Sequence, residues 1–152
     1  TMGFGLPAAI GAKMGRPDKD VWLVTGDGSF QMTLKELMTA AAEGVCVKVA
    51  IINNRSLGMV RQWQQLFWQN RYSAVDLGDY PDFVRLAEAY GCAGIRVRTP
   101  EDMADALDQS DQIRNVPVVM DIRVTAAENV YPMIPAGMGY NELRMDPGKV
   151  QR

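Results

Sequence analysis

The sequence predicts an α/β protein, a mostly parallel sheet with helices on both faces. Short apolar runs that read as strands alternate with segments of helical periodicity. The strand-like runs are nearly continuous in apolar residues, the pattern of strands covered on two faces. No run approaches the roughly 20 apolar residues that a membrane helix needs. The apolar 47% of the 152 residues is therefore free to build a core.

Each element has a local reason. Gly5-Leu6-Pro7, followed by residues 8–14, reads as a short helix with Pro7 in its first turn and Gly15 at its end. Residues 21–25 are an apolar strand stopped by Gly26-Asp27-Gly28. Thr33-Leu34-Lys35-Glu36 has the form of a capping box, opening a helix that runs to about Glu43 and closes at Gly44. Residues 47–52 are the next strand. A helix follows Gly58 and carries Met59, Trp63, Leu66 and Phe67. Pro81 opens another, with Phe83, Leu86, Ala87 and Tyr90 on one face and Gly91 beyond it. Residues 95–97 form a short strand, Thr99-Pro100-Glu101-Asp102 start one more helix, and residues 117–124 are the last strand. The tail from Ala126 holds Pro132, Pro135 and Pro147 and reads as irregular. With no repeat or linker visible, a single domain is expected.

Bulk properties narrow the chemistry. A net charge of −2 leaves no basic field for nucleic acid or an anionic membrane surface. Cys46 and Cys92 are too few for a disulfide framework or a zinc site and read as small hydrophobes, consistent with a reducing cytoplasm. The chain has no histidine, so histidine triads and histidine metal sites are excluded. The opening Thr1-Met2-Gly3-Phe4-Gly5 has neither a basic segment nor an apolar signal core, and the chain is expected to be a piece of something longer.

The candidate site lies at two strand ends. Residues 21–54 make one strand–helix–strand unit whose strands end in Gly26-Asp27-Gly28 and Asn53-Asn54. In such sheets ligands collect beyond the carboxyl ends of the strands. If the two strands are neighbours or next-neighbours, the Asp27 carboxylate and the Asn54 amide can meet at one point. Mg²⁺ takes six oxygens, often one or two from carboxylates and the rest from phosphates and water. Asp27 offers an anionic oxygen, Asn54 a neutral one, and a backbone carbonyl in the loop near Ser56 a third. Gly28 lets the backbone approach a phosphate, and the N–H groups of Gly28 and Ser29 can donate to it. Each tip alone is a common turn. Together, with 24 residues (29–52) between Gly28 and Asn53, they form the thiamine diphosphate signature. Gly3-Phe4-Gly5-Leu6-Pro7-Ala8 and Gly137-Met138-Gly139 imitate dinucleotide loops, but the first follows no strand and the second precedes no helix.

At these residues the sequence resembles a known family. Gly26-Asp27-Gly28-Ser29-Phe30-Gln31-Met32 and Leu57-Gly58-Met59-Val60-Arg61-Gln62-Trp63-Gln64-Gln65 look like the catalytic large subunit of acetohydroxyacid synthase, also called acetolactate synthase. So do Thr1-Met2-Gly3-Phe4-Gly5-Leu6-Pro7-Ala8-Ala9 and Asn129-Val130-Tyr131-Pro132-Met133-Ile134-Pro135-Ala136-Gly137. The likeness covers nearly the whole chain, and residues 58–65 are its most particular part.

The resemblance implies a thiamine diphosphate- and Mg²⁺-binding domain over residues 1–125, with the tail, 126–152, packed on it near the active-site channel. Asp27, Asn54 and the Ser56 carbonyl would hold Mg²⁺. Gly26, Gly28, Ser29, Leu57, Gly58 and Met59 would line the cofactor, and Met2 would force it into a bent shape. Met59 and Trp63 would border the substrate pocket, with Trp63 favouring 2-oxobutyrate as second substrate. Ala136 would lie by the channel where herbicides bind.

The implied reaction decarboxylates pyruvate and joins the product to pyruvate or 2-oxobutyrate, in branched-chain amino acid biosynthesis. No catalytic residue is expected in this chain, because the family's activating glutamate belongs to an N-terminal domain. Glu36 and Glu43 read as helix cap and surface. FAD belongs to a middle domain, also outside this chain. The expected partners are small 2-oxo acids, further copies in a dimer or tetramer, and a regulatory small subunit, all in the cytoplasm. A different thiamine diphosphate-dependent decarboxylase or carboligase, or a non-catalytic module of the same fold, stays open.

Overall fold

The computed structural model describes residues 1–145, so Pro147 lies outside the described residues. The chain forms two compact units: Thr1–Ser56 with Leu77–Thr125, and Leu57–Asp76 with Ala126–Arg152. No helix among the described residues is long and apolar enough to cross a membrane.

The first unit runs α1 (Gly5–Gly15), β1 (Trp22–Gly26), α2 (Asp27–Gln31), α3 (Glu36–Ala42) and β2 (Lys48–Asn53). After the excursion into the second unit, which carries α4 (Gly58–Phe67), it continues with α5 (Phe83–Ala89), β3 (Ala93–Val97), α6 (Asp102–Gln112) and β4 (Val118–Arg123). Among the described residues the four strands form one sheet in the order β1-β2-β4-β3, all parallel. This is the expected α/β architecture.

Alternation along the strands divides the interior in two. Leu23, Val49, Ile51 and Val119 face a core filled by Leu6, Ala9 and Ile10 of α1, Phe30 of α2, Leu37 and Ala40 of α3, and Phe83 and Ala87 of α5. Phe30 meets Phe83 edge to face, with ring centroids 5.7 Å apart. On the other face Ala50, Val118, Met120 and Ile122 pack with Ile95, Val97 and Ala106 of α6. Helices therefore cover both faces, and α6 reaches β2 as well, where its Asp111 pairs with Lys48. At the β1 end of that second face Val24 is 70% exposed.

Three local readings need correction. The Gly26-Asp27-Gly28 turn is a helix start: β1 passes directly into α2 at Asp27. The capping box at Thr33 does not form. The Thr33 hydroxyl donates instead to the Gly3 carbonyl (3.0 Å), and the helix begins at Glu36 with Lys35 as its N-cap. At α5 the N-cap is Asp82 rather than Pro81; its carboxylate accepts from the Val84 and Arg85 N–H groups at 3.1 and 3.2 Å. The glycine pair near the N-terminus opens α1 and forms no dinucleotide loop.

The second unit is built around α4. Its expected apolar residues Met59, Trp63 and Phe67 are exposed, and Trp63 and Phe67 meet edge to face at 5.4 Å. The buried residue is Gln62, only 1% exposed. Its Nε2 donates to the Val130 carbonyl (2.9 Å) and its Oε1 accepts from the Val130 N–H (2.7 Å). One side chain thus replaces a strand partner for the tail. The tail adds a Met133–Arg144 bridge and a 3₁₀ turn over Tyr140–Glu142.

Two substitutions test this packing. A Cβ on Gly94 would lie 2.8 Å from the Val84 carbonyl oxygen and 2.9 Å from its Cα, so α5 would have to move off β3. Gly94→Ala is expected to destabilise the protein by about 1–3 kcal/mol, read from the denaturant midpoint. Gln62→Leu removes both bonds to the exposed Val130 backbone, at about 0.5–1.5 kcal/mol for each bond lost. Hydrogen exchange at the Val130 amide should quicken in this variant while exchange in the sheet stays unchanged.

Candidate functional site

The register of β1 against β2 builds the site. Gly26 pairs with Ile52, so Asp27 and Asn53 follow at the same end of two adjacent strands. Of the two arrangements that would allow the tips to meet, the chain adopts the closer one.

Asp27 is 3% exposed and is the first residue of α2. Burial pushes its carboxyl pKa above the ordinary 3.8, against the pull of backbone N–H groups from Gly28, Arg55 and Asp27 itself; the negative charge of Asp121 adds to the rise. Among the described residues Asp27 forms no ion pair. A buried carboxylate held without a cation is costly. It is the first sign of a site whose positive charge comes from outside the chain.

Residues 53–56 arrive from β2 in a tight loop. Asn53 is 2% exposed; its Nδ2 donates to Asp121 Oδ1 (2.7 Å) and its Oδ1 accepts the Arg55 N–H (3.2 Å). The same Arg55 N–H faces the Asp27 carboxyl, so the loop reaches across to β1. Arg55 has φ +58°, the left-handed region that non-glycine residues seldom occupy. Asn54 is partly exposed, and its Oδ1 accepts from the Ser56 N–H (3.1 Å). Ser56 is buried at 7% exposure.

The structure therefore brings Asp27 and the loop of Asn54 and Ser56 to one end of the sheet. No three acidic or thiol side chains converge among the described residues. A divalent ion here must draw on amide and backbone oxygens as well as Asp27. Gly28 and Ser29 lie in the first turn of α2, where the Gly28 N–H turns to the Asp27 carboxyl. The Ser29 hydroxyl accepts from the Gly3 N–H (3.1 Å). Gly3 has φ +74°, and a Cβ there would meet Met32 Cβ at 3.1 Å, so the segment carrying Met2 is pinned to α2 through a glycine. Met2 itself is 46% exposed.

Leu57, Gly58, Met59 and Trp63 belong to the second unit, where Gly58 and Met59 are the first residues of α4 and the Leu57 N–H donates to the Val75 carbonyl (2.9 Å). Glu36 accepts from the Thr39 hydroxyl, and Glu43 is the exposed C-cap of α3. Sequence reasoning missed Asp121 and the inward role of Asn53. The available signal was an aspartate inside the apolar run of β4, since a charge in such a strand is a paired one.

The family profile described as "Thiamine pyrophosphate enzyme, C-terminal TPP binding domain" matches residues 1–122. The chain belongs to this family. As a thiamine pyrophosphate-binding domain it is 53% identical to the acetolactate synthase of Mycobacterium leprae, over 97% of this chain and 24% of that protein. It is 48% identical to the acetolactate synthase isozyme 3 large subunit of Escherichia coli, over 94% of this chain and 25% of that protein. Among solved structures it resembles the thiamine diphosphate-dependent 4-hydroxybenzoylformate decarboxylase of Rhodococcus jostii RHA1, with a TM-score of 0.77 and 34% identity over 84% of this chain and 24% of that one. The chain thus spans about a quarter of the length of the curated relatives it matches.

Asp27 has a measurable consequence. Because its folded pKa is raised, its ionised form costs stability at neutral pH, and the cost disappears as pH falls through that raised value. In chelator, Asp27→Asn is expected to melt above the unsubstituted protein at neutral pH. The gap should close as pH falls toward 3.8, in thermal unfolding followed across a pH series.

Proposed function

We propose that this chain is the cofactor-binding C-terminal part of an acetolactate synthase and grips the diphosphate of thiamine diphosphate through Mg²⁺. The buried Asp27 carboxylate, unpaired by any cation among the described residues, is the observation that carries this reading. The donors fit the ion: one carboxylate, the Asn54 amide oxygen and the Ser56 carbonyl are hard oxygens, with phosphate and water left to complete an octahedron. Mg²⁺ would also offset the desolvation of Asp27.

When bound, thiamine diphosphate supplies a nucleophilic carbon that adds to a 2-oxo acid and accepts the electrons released as CO₂ departs. The chain's residues bind and orient. Asp27, Asn54 and Ser56 fix the anionic end, while Gly26, Gly28 and Ser29 let the backbone come close to it. Leu57, Gly58 and Met59 line the cofactor, and Met2 sets its bend. Exposed Met59, Trp63 and Phe67 recur every fourth residue on α4, an apolar stripe suited to the side chain of pyruvate or 2-oxobutyrate. The pathway is branched-chain amino acid biosynthesis in the cytoplasm. The activating glutamate and an FAD site lie elsewhere in an oligomeric subunit that pairs with a regulatory small subunit.

A second reading, a 2-oxo acid decarboxylase, is favoured by the likeness to the R. jostii enzyme, at 34% identity against 53% for the M. leprae synthase. Product analysis with pyruvate separates the two when this domain is assayed within a full-length catalytic subunit: acetolactate supports the synthase and free aldehyde the decarboxylase.

Calorimetry with thiamine diphosphate should show binding that needs Mg²⁺. Asp27→Ala should weaken it by more than the roughly 10–100-fold that losing an outer-shell partner costs. Binding indifferent to Mg²⁺ would sink the proposal. Mixed with pyruvate, thiamine diphosphate and Mg²⁺, the 152-residue chain alone should form no acetolactate.

A further inference from the structure

A buried acid on the neighbouring strand governs the loop that ends β2. Asp121 sits in the middle of β4 at 0% exposure, opposite Ile51 on one side and Arg96 on the other. Its Oδ2 lies 3.3 Å from Arg123 Nε and 3.5 Å from Arg96 Nε. Arg96 also pairs with Asp82, the N-cap of α5. The carboxylate is therefore ion-paired from β3 and from β4, and its β3 partner Arg96 is shared with the start of α5. Its Oδ1 is spent on Asn53.

The Asn53 amide is gripped at both ends, by Asp121 on its nitrogen and by the Arg55 N–H on its oxygen. That second bond fastens the residue with φ +58°. A left-handed non-glycine residue persists only where its surroundings over-determine it. Here it lies between Asn54 and Ser56, so its conformation sets the direction of both. The adjoining cleft of about 280 Å³ is lined by Arg55, Arg96, Arg98 and Arg123, but Asp79, Asp82 and Asp121 balance three of those four charges. The cluster is thus a brace and no anion trap.

We propose that Asp121 and Asn53 are positioning residues for the divalent cation. Asp121 orients the Asn53 amide, and Asn53 holds Arg55 left-handed, so that Asn54 and Ser56 present their oxygens to the ion shared with Asp27. This rests on the metal site proposed above, and neither residue touches the ion.

The test uses the full chain with thiamine diphosphate and measures half-saturating Mg²⁺ alongside the melting temperature. Asn53→Ala and Asp121→Asn should each raise half-saturating Mg²⁺ by roughly 10–100-fold. Because they act in series, the double variant should be no worse than the weaker single one. Val118→Ala, a cavity at the amino end of the same strand, should lower the melting temperature without moving the Mg²⁺ requirement. If Asp121→Asn does not fold, Asn53→Ala decides. An unchanged Mg²⁺ requirement in Asn53→Ala, with binding abolished in Asp27→Ala, overturns this inference alone. Normal Mg²⁺-dependent binding in Asp27→Ala overturns the metal site and this inference together. Additive losses in the double variant also overturn it.

Discussion

The parallel pairing of β1 with β2 is the constraint on which the rest depends. Parallel neighbours send both carboxyl ends the same way, and the α2–α3 crossover returns the chain so that Asp27 and the 53–56 loop finish level. The register admits no slip. Moving β2 by one residue would turn Val49 and Ile51 out of the core and swing Asn53 away from Asp121. Apolar burial along the strand thereby fixes a polar arrangement at its tip.

Much of this was legible because it is local. Apolar strands, the glycines after α3 and α5, and the spacing between the two strand ends all lie within short windows. Long-range partners defeated the rest. Thr33 looked like a helix cap until its hydroxyl found a carbonyl 30 residues away. Gly-Asp-Gly reads as a turn because its glycines weaken a helix, yet packing of Phe30 makes α2 worth forming. On α4 the apolar Met59, Trp63 and Phe67 stay exposed, whereas the side chain taken inside is Gln62, because it meets the backbone of Val130. Asn54 was legible by position. Its neighbour Asn53, chemically identical, became structural because alternation points it at Asp121.

The site sets binding against stability. Asp27 is buried where its charge is poorly solvated and no cation of the described chain relieves it. Asp121, equally buried, has two arginines and an amide. Two carboxylates in one unit thus meet opposite conditions: one is ion-paired internally and braces the backbone, while the other has no ion pair among the described residues. Active centres commonly accept such a deficit in the unliganded state.

The excursion between β2 and α5 begins and ends at one spot, for the Leu77 N–H donates to the Arg55 carbonyl (2.9 Å) as the chain comes back. Everything from Leu57 to Asp76 is therefore strung from a closed neck. Evolution can lengthen, shorten or rewrite such an inserted stretch without disturbing the frame that carries it. Residues 57–76 can therefore be rewritten while the Asp27 carboxylate and the 53–56 loop keep their places at the strand ends.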